Sequence, residues 1–322
     1  MDTVLAPAHF ISDPNYREWV GIDRDACLHL RRALDDGGGA HIAIDYPLIV
    51  SNTDLNDQGV RGTLIDSIAD LPAENIWLRT SGMGAEAGPL TMRRYLSAVA
   101  ALHNLGRPII ADHLSGLTGM AAVAFGAVSG VAHGIAERER FDASGWAKPP
   151  APRDPDADFG RAVRVWIPSL NKSATVKELE LLATARNGRR LLGCGDRHCC
   201  HGLEDMLSDP RRHAAYQAFR EIRELQAVPD LRREHHFLAG PMAEADRVAR
   251  QIKQLRPSAA EAEMREIDLD GLMRRLHDHS RKTEKLRTTL EALHEARTDE
   301  SPRARPVSRD KAAHVRKKEE GR

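Results

Sequence analysis

The sequence predicts an α/β protein built as a TIM-like (β/α) barrel, whole or incomplete, with a helical C-terminal subdomain. Three observations lead there. Short, β-branched apolar runs alternate with helical patterns through the first 200 residues; several of those runs are apolar on both faces; and beyond a cluster of cysteines the pattern is almost wholly helical. Parallel strands need a long crossover, which a helix supplies, so strand–helix alternation implies βαβ units. Strands apolar on both faces belong to a sheet covered on both sides or closed into a barrel.

The strands are expected at His41–Val50 (HIAIDYPLIV), Asn75–Thr80, Arg107–Asp112, Val128–His133, Val163–Pro168 and Arg190–Gly193. The N-terminal HFISD could add one more, approaching the eight of a full barrel. Helices are expected at Asp57–Ala69, Pro89–Leu105, Leu117–Phe125 and Ala174–Ala185, where apolar residues recur at three- and four-residue spacing. A doubly wound open sheet is the alternative. The Gly-rich DDGGGA at Asp35–Ala40 precedes a strand rather than following one, so it reads as a turn and not as a dinucleotide loop. KPPAPRDPDAD from Lys148 is a long irregular insertion. The organisation is therefore a barrel-like domain over 1–200, a helical subdomain over 201–280 with a metal site at the junction, and a charged helix with a basic tail, expected to be disordered, over 281–322.

Composition sets outer bounds. With 322 residues the chain buries a full core without disulfide staples. Lys plus Arg and Asp plus Glu are both 47, so any attraction to nucleic acid is local. The tail from Ser301, with eight Lys or Arg against three acids, is the place for it. No apolar run of membrane-spanning length and no basic-then-apolar leader occurs, which points to a cytoplasmic protein that does not enter a membrane. The oligomeric state is open.

The densest chemistry lies in GCGDRHCCHG, Gly193–Gly202, where three of the four cysteines gather and only Cys27 stands elsewhere. Thiolates and imidazoles are the donors of tetrahedral zinc, and a thiolate-rich set makes a closed, structural site. Cys194, Cys199 and Cys200 with one more distant His form the preferred set; His201 and His213 are the candidate histidines, and His198, His235 and His236 lie near in sequence. Adjacent cysteines diverge in extended chain, so Cys199 and Cys200 need a turn, for which Gly195 and Gly202 supply freedom.

Barrel chemistry collects at the C-terminal ends of strands. Asp45 stands in IAIDYP, Asp112 and His113 where a strand meets ADHLSGLTG, and His133 and Asp142 in GVAHGIAERERFD. These are the candidate acids, bases and nucleophiles.

The segment RPIIADHLSGLTGMAAVAFGAVSGVAHGIAERERFD, followed by a strand, a cysteine cluster and helices, resembles the late part of the tRNA-guanine transglycosylase barrel, over roughly Arg107 to Arg233. The resemblance implies a TIM barrel, a structural zinc, tRNA or DNA as partner, and an Asp nucleophile that breaks a glycosidic bond and exchanges the base. It would make Phe141–Asp142 the family's Phe-Asp pair, or set His133 at the nucleophile's place. The chain departs from the family pattern in three respects: Asp142 is followed by ASGW, DYPLIVS is the faint counterpart of the family's Asp-Ser-Gly-Gly-Phe-Gln, and the cysteines are spaced C-x4-C-C. Two other readings follow from the residues alone. One is a metal-dependent hydrolase using Asp112, His113 and His133, although it lacks an early H-x-H; the other is a non-catalytic scaffold that binds a partner through its helices.

Overall fold

The computed structural model describes residues 2–12, 16–132, 141–146, 163–297 and 303–306. Its centre is a five-stranded parallel sheet in sequential order: β1 (Thr3–Leu5), β2 (Ala43–Ser51), β3 (Asn75–Ser81), β4 (Ile109–Asp112) and β5 (Gly130–Ala132). The crossovers carry α1 (Tyr16–Asp36), the short α2 (Asn52–Asn56), α3 (Gln58–Ile68), α4 (Pro89–Ala101) and α5 (Gly116–Ala124). Because right-handed crossovers that always advance in one direction put every helix on the same side, this order gives a half-barrel sheet. A doubly wound sheet would reverse direction partway, and this one does not.

Strand periodicity then divides the side chains between two faces. Ile44, Tyr46, Leu48 and Val50 of β2, Ile76 and Leu78 of β3, and Ile109 and Ala111 of β4 join the main core with Met92, Leu96, Val99 and Phe125 of the helix layer. Alternate residues, Asp45, Ile49, Trp77, Arg79, Ile110 and Asp112, fall on the opposite face, the one that would be the interior of a closed barrel.

The turn at Gly37–Ala40 leads from α1 into β2, with Gly38 in the left-handed region (φ 79°). Helix α1 is pinned by its fully buried Asp23, which accepts from the Tyr46 hydroxyl at 2.8 Å and from the His9 backbone N–H at 3.1 Å, while the His9 ring lies 2.6 Å away. Cys27, one turn further on, is also buried, and that burial pushes its thiol up to about 11.

Several expectations are corrected. The N-terminal edge strand is Thr3–Leu5, and among the described residues of HFISD an isolated bridge, Phe10 to Ile49, replaces the expected strand. The run at Val163–Pro168 does form a strand, β6 (Arg164–Ile167), but it pairs antiparallel with β7 (Lys172–Thr175) in a separate hairpin. Its intervening loop is too short for the crossover a parallel partner requires. Arg190–Gly193 is not a strand: RLL lies in the helix α7 (Gly188–Leu192), an apolar run too short for periodicity to decide. The Lys148 insertion and His133 lie outside the described residues.

Around the hairpin a second core forms from Val165, Ile167, Leu179, Leu182 and Leu192 with Cys199 and Cys200. It receives α6 (Val176–Thr184), whose start is fixed by a Thr175–Glu178 capping box, and residues from α11 (Ala243–Ile252), α12 (Ala259–Met264) and α13 (Leu269–Glu295). The remaining helices are α8 (Leu203–Ser208), α9 (Pro210–Ala227) and α10 (Asp230–Phe237), the last running into a π-helical turn at Leu238–Met242. Leu225, Phe237, Met242, Leu286 and Leu290 from these helices enter the main core, so the C-terminal half is packed against the sheet's helix layer. Among the described residues no helix is long and apolar enough to cross a membrane.

The tail also needs correction at one point. Arg303–Pro306 is docked: the Ala304 N–H donates to Gly126 O (2.6 Å), the Ser129 hydroxyl donates to Arg305 O, and Arg303 lies 3.3 Å from Glu234. Glu234 is a buried carboxylate that also draws His294 (2.8 Å) and Arg297 (3.2 Å), and its charge anchors the strap.

His279 of α13 donates from Nε2 to Leu170 O at 2.8 Å, tying the long helix to the hairpin loop. Burial, followed by the nearby Lys172 charge, lowers its pKa to about 4. The unfolded chain then binds the proton at a higher pH than the folded chain does. The His279 contribution should be complete above about pH 6.5 and lost as pH falls toward 4. Urea unfolding at pH 7.5 and pH 5 should show the wild type losing about 1–3 kcal/mol more than His279→Gln; equal losses would refute the assignment.

Candidate metal centre and the sheet rim

Two sites emerge from this scaffold. The first is built by the loop that leaves α7. The Asp196 carbonyl accepts from both the Cys199 and Cys200 N–H groups, at 3.0 and 2.9 Å, which folds the adjacent cysteines into one turn. Asp196 Oδ1 accepts from the His198 N–H (2.9 Å) and Oδ2 from Arg220 (2.9 Å), and these contacts hold its carboxyl below the usual range. The Asp196 carbonyl makes the turn for which Gly195 and Gly202 were expected to supply freedom, and neither glycine is in the left-handed region.

Cys194, Cys199, Cys200 and His213 present one donor atom each, all within 4.8 Å of one another. Cys199 Sγ and Cys200 Sγ each lie 3.4 Å from His213 Nδ1 and 3.5 Å from each other. A tetrahedral ion with metal–sulfur bonds of about 2.3 Å sets its donors about 3.8 Å apart, so these four groups can hold a metal ion after small adjustment. His213 comes from the first turns of α9 and is buried. Its Nε2 donates to Trp166 O at 3.0 Å, which leaves Nδ1 with its lone pair toward the sulfurs, the tautomer a metal requires. Burial lowers the His213 pKa, favouring the neutral ring. Burial likewise pushes the Cys194 and Cys200 thiols up, and a bound cation would reverse that by stabilising thiolate. Gln217, one turn beyond His213, donates to Cys194 Sγ at 3.4 Å, and Arg212 donates to Cys199 O at 2.8 Å.

His201 is not part of this group. It is exposed, and its backbone N–H caps onto Asp205 at 2.9 Å, which turns the residue outward as α8 begins. No other His, Cys, Asp or Glu group among the described residues is close enough to share an ion, Asp112 and His113 included.

The second site is the C-terminal rim of the sheet, on the face away from the helices. Arg79 directs Nε (2.7 Å) and Nη2 (2.5 Å) at Asp112 Oδ2, while Asp112 Oδ1 accepts the His113 N–H at 2.9 Å. That last bond holds His113 at φ 58°, a left-handed conformation unusual for a residue with a side chain. The His113 ring stacks on Phe141 (5.6 Å between centroids), and the Arg79 guanidinium sits 5.5 Å from the same ring. Trp146 meets Phe141 and Phe10 edge-on, at 5.4 and 6.4 Å. Residues 141–146 are tied to the rim by the Gly82 N–H donating to Phe141 O and the Ala143 N–H donating to Ser81 Oγ, both at 2.9 Å. Asp142 is exposed beside Phe141, and Trp146 is 58% exposed, leaving much of the indole free to meet a ligand.

Asp45 is absent from the rim. It shares the Asp112 face but pairs in register with Asn75, at the N-terminal end of β3, four residues or about 13 Å below the level of Asp112. Its oxygens accept from Asn75 Nδ2 and Trp77 Nε1, each at 2.6 Å, and although burial raises its pKa the carboxyl is spent on joining β2 to β3. Of the aromatic trio the sequence reading singles out Phe141 alone, through its pairing with Asp142. Phe, Trp and Tyr make up only 4% of the chain, so the closeness of Phe141 and Trp146 in sequence was the available signal, whereas Phe10 joins them only through the fold.

The chain matches no protein-family model, and no curated protein matches it.

Proposed function

We propose that the protein is a zinc-containing, transglycosylase-like enzyme on an incomplete TIM-type barrel that acts on a nucleobase or nucleoside of tRNA or DNA in the cytoplasm. One observation carries the reading: an aromatic platform of Phe141 and Trp146, flanked by Arg79 and His113, lies over the strand ends beside two carboxylates. Flat π-faces with an adjacent guanidinium are what an unstacked base binds. Asp142 is the nucleophile in this reading: its carboxylate attacks the sugar C1′, the glycosidic C–N bond breaks, and His113 gives the departing base its proton. A second base then displaces the carboxylate and returns the proton. Asp112 positions Arg79 and His113.

Three thiolates and one imidazole suit zinc, and a closed set of four suits a structural ion that ties the hairpin to α9. For the alternative reading as a metal-dependent hydrolase, Asp112 and His113 share no group of three donors among the described residues, and its third residue, His133, lies outside them.

Incubation of the full chain with isotopically labelled guanine and either tRNA or duplex DNA tests this. Label should enter one polymer with the wild type and fall at least a hundredfold with Asp142→Ala, whose melting temperature should be unchanged because the residue is exposed. Absence of incorporation into both polymers would overturn the proposal.

A further inference from the structure

A cavity of about 280 Å³ opens on the helix side of the sheet, between α5, the cysteine loop, α9 and the π-helical turn. It lies apart from the rim platform, whose residues face the other side of the sheet. Leu117 and Met120 of α5 with Leu225 of α9 give it an apolar floor. Pro241 reaches it from the π-helical turn, a geometry that recurs at functional sites.

The polar wall is acidic: Asp196, Glu221, Glu224 and Glu244 against the single fixed cation Arg220. Most of these charges are already committed. Arg220 lies 2.9 Å from Asp196 and 3.7 Å from Glu224, and Glu244 is paired with Arg247 at 2.5 Å. Glu221 stands apart. It follows Gln217 by one turn on the same face of α9, is partly buried, and forms no hydrogen bond or ion pair among the described residues. Burial pushes the Glu221 carboxyl up to about 7, with the Arg220 charge opposing the shift and Glu224 adding to it. Apolar pockets with a few convergent polar groups and one perturbed acid are where small ligands bind, and this volume is at the small end of their range.

We propose that this cavity is a binding site for a small organic cation, an amidinium, guanidinium or ammonium group on a compact apolar body, with Glu221 as its anionic anchor and Leu117, Met120 and Leu225 holding the body. A neutral ligand of the same shape would fill the floor but leave the carboxylate without a partner. An anion would meet Glu221 itself, with Asp196, Glu224 and Glu244 on the same wall.

Benzamidine and its neutral isostere benzamide separate charge from shape. Calorimetric titration of the full-length chain at pH 8, where Glu221 is ionised, should show benzamidine binding at least tenfold more tightly than benzamide. Glu221→Gln should remove that tenfold preference. Met120→Trp, which fills the floor from the opposite wall, should abolish binding of both and guards against a folding defect in the first variant. Equal affinity of the wild type for the two probes, binding of neither, or an undiminished preference in Glu221→Gln would overturn the assignment.

Discussion

Replacing Cys200 by Ser should release the bound metal and unfold the second core. Purified wild type is expected to carry one zinc per chain by elemental analysis, and Cys200→Ser and His213→Ala well under half of that. Cys200 is buried against the hairpin and α6–α7, so the ion would join a loop, a hairpin and α9, adding to the contacts of Arg212, Gln217 and Arg220 with the loop. Structural zinc supplies about 10–16 kcal/mol of apparent binding free energy in small domains. That is comparable with the whole of the roughly 5–15 kcal/mol by which a typical protein is stable, so losing even a part of it matters. A loss of at least 4 kcal/mol, read as a large drop in melting temperature, is therefore expected. His201→Ala serves as the control: that exposed side chain should be neutral in both metal content and melting. A metal-free wild type with the same melting temperature would refute the site.

The second large effect is expected from Asp112→Asn. Asp112 neutralises Arg79, which is 27% exposed, through two contacts to one oxygen, and its other oxygen fixes the His113 backbone. Removing the charge leaves a partly buried guanidinium without its counter-ion, at a cost of about 1–3 kcal/mol after allowing for its remaining exposure to water. The larger consequence is geometric. Arg79 and His113 both lean on Phe141, so freeing them misplaces the platform on which the proposed substrate sits. Base exchange should fall at least a hundredfold while the protein stays folded, and the double variant Arg79→Met with Asp112→Asn should recover most of the stability but none of the activity. Single variants with full exchange activity would remove Asp112 from the site.

The parts that the sequence made legible are those with a strong local signature. IAIDYPLIV, NIWLRTS and IIAD are apolar and β-branched, and each is a strand of the parallel sheet. RLLG is helical and not a strand because four residues carry no period, while VRVWIP is a strand whose partner was not legible, because a strand's own residues do not say which strand it will pair with. The amphipathic pattern of Tyr16–Asp36 is likewise local, and it forms α1.

For the candidate site the division is similar. Crowding of Cys194, Cys199 and Cys200 in one loop is a property of chain order alone, and it was enough to point to a metal. The choice of His213 over the nearer His201 depends on how α9 packs: Trp166 O, on a strand 47 residues away, accepts the ring N–H and turns Nδ1 toward the sulfurs. In the same way, chain order supplied Asp45 and Asp112 as equal candidates, whereas sheet register set one at the bottom of the sheet and the other at the rim. Local composition fixes which donors are available because it acts through neighbours in the chain; which of them converge is decided by contacts between residues far apart in sequence, and those exist only once the helices have packed on the sheet.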